Sequence, residues 1–224
     1  MNGKQLFDDW PERYDRWFDT PTGKAVLKYE VMLVLDLLRP VRGDKILDAG
    51  SGTGIFTREF LFRGAGVVGL DISWAMLRWA QTKNEAFPRR MVTADMTLLP
   101  FDDGVFDKTV SVTALEFIED EKKAVAELFR VTKPGGIVVV ATLNCLSPWA
   151  VRRRENARHD RESIFNRVFF RSPAQLLAAA PLSGTVRTAV YFDKEDDPAE
   201  LDRIEQEGQG RETGAFIAAR WEKR

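Results

Sequence analysis

The chain has 224 residues, 44% hydrophobic and 30% charged, enough for one large α/β domain with a full core and a polar surface. Its 33 basic and 34 acidic residues nearly cancel, which argues against a nucleic-acid or membrane-surface partner. No apolar run approaches the roughly 20 residues of a bilayer span. The polar, acidic start Met1–Trp10 is unlike a signal peptide, the single Cys145 allows no internal disulfide, and no Cys/His cluster suits zinc. The expected compartment is therefore a reducing cytoplasm, with no metal.

In chain order, Asp8 or Asp9 before Trp10-Pro11 predicts a helix start, and Phe7, Trp10, Tyr14, Trp17 and Phe18 give that helix an aromatic face. Residues 1–23 read as a cap, with a break at Thr20–Gly23 that would hinge it as a lid. Val26–Leu38 is a second helix. Lys45–Ala49 is a first strand followed by the helix Ile55–Arg63. Val67–Asp71 is a second strand, and Ser73 caps a helix to about Ala86. Arg90–Thr93 and Phe106–Val112 are the next strands, Glu121–Val131 is helical, and the apolar run Ile137–Ala141 is a buried fifth strand. Residues 147–171 hold seven arginines against three acids and read as a charged, lid-like insertion. A short helix from Ser172-Pro173 to about Ala180 and closing strands Val186–Phe192 and Ala215–Arg220 complete one domain over 1–224. Asp193–Glu212, between those strands, carries nine acids and three bases.

The stretch Ile46-Leu47-Asp48-Ala49-Gly50-Ser51-Gly52-Thr53-Gly54 leaves a strand, turns on glycines and enters a helix. Without Cβ atoms such a turn can bring backbone N–H groups and a helix start close to a ligand. Its G-x-G-x-G spacing departs from the dinucleotide pattern G-x-G-x-x-G, since Ile55 follows Gly54, and a Walker Gly-Lys-Ser/Thr is absent. Asp71, seventeen positions past Gly54, ends the second strand and can accept from a ribose diol; its other open role is a turn or cap aspartate. Asp95 follows the third strand and can accept from an exocyclic adenine amine.

Leu47-Asp48-Ala49-Gly50-Ser51-Gly52-Thr53-Gly54, Gly69-Leu70-Asp71-Ile72-Ser73, Ala94-Asp95…Leu99-Pro100-Phe101 and Lys133-Pro134-Gly135-Gly136 together resemble class I S-adenosylmethionine-dependent methyltransferases, over about Val31–Leu143. The resemblance implies a Rossmann-like α/β fold with seven strands ordered 3-2-1-4-5-7-6, the last antiparallel. It implies that the loop residues Asp48, Gly50, Ser51 and Gly52 lie under the methionine part of the cofactor. Asp71 then meets ribose, Ile72, Asp95 and Met96 surround adenine, and Thr113 passes near the sulfonium. Tyr14 resembles the cap-helix tyrosine that meets the methionine carboxylate in some members.

Methyl transfer asks the protein mainly to align a nucleophile and exclude water. Candidates for a general base are Glu116, after strand four, and His159, the one histidine, in the arginine-rich insertion; a cap glutamate and a solvated loop histidine are the alternatives. The expected acceptor is a small molecule, anionic or neutral, covered by the arginines of the insertion, and not nucleic acid. Two rivals stay open: a non-catalytic S-adenosylmethionine-binding module and an NAD(P)-dependent oxidoreductase.

Overall fold

The computed structural model describes residues 4–83 and 90–224. Two helices lead in, α1 (Pro11–Asp19) and α2 (Pro21–Leu38). They are separated by Thr20 alone, whose hydroxyl accepts from the Gly23 N–H and caps α2. Pro21 and Gly23 therefore belong to α2, and Thr20–Gly23 is a helix cap where a hinge was expected. A Cβ on Gly23 would stand 2.1 Å from the Trp17 carbonyl oxygen, so the glycine lets the two helices meet closely.

The alternation of strand and helix then builds β1 (Lys45–Ala49), α3 (Ile55–Phe62), β2 (Gly66–Asp71), α4 (Trp74–Lys83), β3 (Met91–Thr93), β4 (Phe106–Val112), α5 (Glu121–Val131) and β5 (Thr132–Leu143). The expected end of α4 at Ala86 lies outside the described residues. After β5 come α6 (Pro148–His159), α7 (Pro173–Leu177), β6 (Thr185–Ala189), α8 (Leu201–Gly208) and β7 (Phe216–Glu222). All strands join one sheet in the order β3-β2-β1-β4-β5-β7-β6. β7 runs antiparallel to both β5 and β6, and the other pairs are parallel. The arrangement implied by the resemblance is the one present.

The sheet is apolar on both faces, as parallel sheets covered by helices must be. Along β5, Val139 and Ala141 join a core with Leu33, Val34 and Phe60, while Val138 and Val140 face Val125 and Leu128 of α5 on the other side. α5 begins at Asp120, whose carboxylate accepts from the Lys123 N–H.

Several elements differ from their predicted bounds: β5 starts at Thr132 ahead of Ile137, α7 ends at Leu177 short of Ala180, and α8 forms within the acidic stretch. β6 stops at Ala189 because Val190 takes φ +65°, a conformation that ends a β-branched residue's strand. The buried Glu205 carboxylate holds this bend by accepting from the N–H groups of Val190 and Tyr191, at 3.0 and 2.8 Å. Much of the arginine-rich stretch forms α6, started by the Ser147 hydroxyl accepting from the Ala150 N–H.

The chain beyond β4 is stitched down from the far side of that insertion. The buried Arg171 guanidinium donates to the carbonyls of Leu115, Ile118 and Phe169 at 2.9, 2.7 and 3.0 Å. The Phe169 N–H donates to the Glu116 carbonyl at 2.7 Å. Arg171→Ala should leave those carbonyls without their charged donor. We expect a loss of about 2–4 kcal/mol in urea unfolding, with faster amide exchange over residues 115–118.

Candidate active site

The site grows from the β1–α3 turn. Gly50, Gly52 and Gly54 all have positive φ, and a Cβ on Gly50 would stand 2.3 Å from that of Ala114. The turn is fastened to the end of β2. The N–H groups of Gly50 and Ser51 both donate to the Leu70 carbonyl, at 2.6 and 2.9 Å, and Gly52 N–H donates to Asp71 Oδ2 at 2.9 Å. These N–H groups are thus spent on the neighbouring strand. The donors left facing the cavity are then those at the start of α3, which has no side-chain cap and whose Ile55 and Phe56 line it.

Above the turn is a cavity of about 520 Å³. Tyr14, Asp48, Gly50, Ser51, Gly52, Asp71, Ile72, Asp95, Met96 and Thr113 all line it, so the ten residues expected around the cofactor share one enclosure. Asp71 Oδ1 accepts from the Ser73 N–H at 2.8 Å, and each carboxylate oxygen keeps a lone pair for a further donor. Asp48 is buried and accepts from the Thr57 hydroxyl at 2.5 Å; burial raises its carboxyl to about 7. Asp95 Oδ1 accepts from the Thr97 N–H, which closes a small turn at the rim. Thr113 has φ +48°, rare for a β-branched residue, and its side chain lies 3.5 Å from the Tyr14 hydroxyl.

The two candidate bases stand elsewhere. Glu116 is buried outside the lining of this cavity, where the Thr142 hydroxyl donates to it at 2.9 Å. His159 is exposed at the end of α6, also outside the lining, because that helix carries it toward solvent. The arginines of the insertion are mostly committed too. Arg152 pairs with Asp193 at 2.6 Å and with Glu195, and Arg154 lies over the Phe170 ring. Arg158 is exposed, and Arg167 alone of the insertion lines the cavity.

Sequence reasoning missed the N-terminal fastenings. Lys4, Gln5, Leu6 and Phe7 line the cavity, and Phe7 packs edge-on against Phe117 at 4.8 Å. Asp15 accepts from the Thr53 hydroxyl in the glycine turn and from Trp79 and Lys83 in α4, each at 2.6 Å. Asp8 accepts from the Ser73 hydroxyl at 2.7 Å.

Residues 47–140 match the family model described as a methyltransferase domain. A demethylmenaquinone methyltransferase of Renibacterium salmoninarum is 35% identical over 136 residues, 61% of this chain and 56% of that one. The chain spans about half the length of the first such curated relatives. An uncharacterised protein of Methanocaldococcus jannaschii is 28% identical over 97% of this chain and 98% of its own. Among solved structures, an S-adenosylmethionine-dependent methyltransferase from Thermotoga maritima superposes with a TM-score of 0.78 at 22% identity, covering 98% of this chain and 99% of that one. The methyltransferase solved with the Trm112 activator of Haloferax volcanii gives a TM-score of 0.73 at 22% identity, over 99% and 100%. Residues 47–140 are thus similar to a methyltransferase domain, and the chain takes the Rossmann-like fold of solved S-adenosylmethionine-dependent methyltransferases.

Three carboxyls, Asp48 and Glu116 near 7 and Glu30 near 8, are held above their ordinary range chiefly by burial. The fold keeps their protons up to neutral pH, whereas the unfolded chain releases them near pH ~4. Their stabilisation is therefore full below that pH and lost as pH rises through about 7–8. Asp107 and Glu127 are shifted the other way, by hydrogen bonds from Lys133 and Arg130, and finish titrating at lower pH. The ligand-free protein should melt several degrees lower at pH ~8.5 than at pH ~6, and Asp48→Asn should flatten that slope in differential scanning calorimetry.

Proposed function

We propose that this chain transfers the methyl group of S-adenosylmethionine to a small-molecule acceptor. The observation that carries the reading is the shared enclosure: a glycine turn, two strand-end carboxylates and a strained post-β4 threonine around about 520 Å³. The size and lining suit a nucleoside joined to an amino acid. When bound, the cofactor supplies an electrophilic methyl group on a sulfonium, so the chain's own work is to bind, align and exclude water.

In this reading Asp71 takes the ribose hydroxyls with the lone pairs left by Gly52 and Ser73. Ile72 and Met96 flank the adenine and Asp95 accepts from its amine. Gly50, Ser51 and Gly52 leave room for the methionine chain, with Asp48 beneath and Tyr14 and Thr113 at its far end. The N-terminal segment, pinned by Asp8 and Asp15, closes the enclosure as a cap over residues 1–23, and the insertion 147–171 covers the acceptor side. The balanced charge of the chain favours a small acceptor over nucleic acid.

Calorimetry should give affinity on the order of micromolar for S-adenosylmethionine or S-adenosylhomocysteine and no heat with NADH. The reverse pattern would return the oxidoreductase reading. Asp71→Ala should weaken cofactor binding by about 1.5–3 kcal/mol for each charge-assisted hydrogen bond lost, with Asp71→Asn milder. Asp15→Ala should lower cofactor affinity by about tenfold through a loosened α1, while the melting temperature moves little.

A further inference from the structure

The walls of the cavity fall into two groups. Its acids, Asp48, Asp71 and Asp95, are taken up by the cofactor in the reading above. A second group, Leu6 and Phe7 of the N-terminal segment with Phe117 and Ile118 after β4, is apolar and only partly buried. Phe7 and Phe117 meet edge to face there, with ring centres 4.8 Å apart. None of these four side chains has a part in holding the cofactor. Apolar surface left open to a cavity gains by being covered, so this part of the wall suits a second ligand.

Two cations reach the lining, Lys4 and Arg167. Lys4 is paired with Asp9. The Arg167 guanidinium has no ion-pair, hydrogen-bond or ring partner among the described residues. The other arginines of the insertion are differently placed. Arg152, Arg153, Arg154 and Arg171 are paired with acids, laid on rings or bonded to carbonyls. Arg158 and Arg161 are exposed outside the lining. The backbone around Arg167 is held in place. The Phe169 N–H donates to the Glu116 carbonyl at 2.7 Å, and Arg171 donates to the carbonyls of Leu115 and Ile118 at 2.9 and 2.7 Å. These bonds lay the chain at 167–171 along 115–118, and bring Arg167 to the part of the wall that Phe117 and Ile118 form.

We propose that Arg167 selects the methyl acceptor by binding an anionic oxygen group, a carboxylate or a phosphate, on a body whose apolar part Phe7, Phe117 and Ile118 cover. This rests on the methyl-transfer reading above and names its substrate class. A guanidinium presents a planar fork of donors that matches two oxygens of either anion. With no acid of the lining paired to Arg167, an anion would displace no partner on binding, whereas an ammonium would meet an unpaired like charge. The competing claim on this arginine comes from the carboxylate of the cofactor's methionine part. Tyr14 and Thr113, 3.5 Å apart, stand at that end in the reading above, and neither bonds to Arg167.

The test titrates the full chain, saturated with S-adenosylhomocysteine, with phenylacetate, phenyl phosphate and benzylamine. At least one anion should bind about tenfold or more tightly than the amine, read by calorimetry, and the better of the two tells carboxylate from phosphate. Arg167 is exposed, so its substitution leaves the core untouched. Arg167→Gln should weaken the better anion by about tenfold or more, and Arg167→Lys should recover part of the loss. S-adenosylhomocysteine affinity should stay within about twofold in both, and Arg158→Gln should change neither ligand. An amine that binds as well as both anions, no binding by either anion, anion affinity untouched by Arg167→Gln, or an equal loss with Arg158→Gln would each overturn the assignment. So would a loss of S-adenosylhomocysteine affinity in Arg167→Gln, which would give the arginine to the cofactor. Failure of S-adenosylhomocysteine to bind the unaltered chain would strike the methyltransferase reading instead.

Discussion

The ligand face depends on how the β1–α3 turn is fastened to the end of β2. One carbonyl, Leu70, takes two N–H groups of the turn, and one carboxylate, Asp71, takes a third. This requires glycine twice over, for positive φ and, at Gly50, for the approach of Ala114. The backbone entropy lost at three glycines is the cost of bringing three strand ends to one enclosure. With three of its donors used internally, the turn shapes the cavity and leaves the start of α3 facing it.

Around that fixed turn the walls come from far along the chain. Asp8 and Asp15 tie the N-terminal segment to α4 and to the turn, so the amphipathic α1 lies over the cavity as a cover. Arg171 fastens the chain after β4 by its carbonyls, which leaves the side chains there free to face inward. Both devices use charge-assisted bonds to backbone or buried partners, stronger than exposed ion pairs.

Charge is distributed with the same economy. The acidic stretch after β6 neutralises part of the arginine-rich insertion through Arg152, and α6 carries Arg153 inward while Arg154 and Arg158 stay at the surface. The surface pairs balance solubility. Farther in, burial keeps the protons of Glu30 and Glu116 up to neutral pH.

The amino-acid sequence by itself determined the alternating strands and helices, the glycine turn and the carboxylates at the ends of β2 and β3, while the strand order came only through the resemblance. The first three are encoded locally, in apolar runs, glycine spacing and strand-end acids a few residues apart. Tyr14 and Thr113 were placed in the cavity by resemblance, since neither has a local signal. The starts of α2 and of the helix within the arginine stretch were decided by local caps, and the end of β6 by the buried Glu205 some fifteen residues on. The latch at Asp15 and the clamp at Arg171 were invisible in the sequence. Each joins residues tens of positions apart, and nothing in a linear pattern says which charged residue will be carried inward. Only the packing of α1, α2 and α6 against the open end of the sheet decides that.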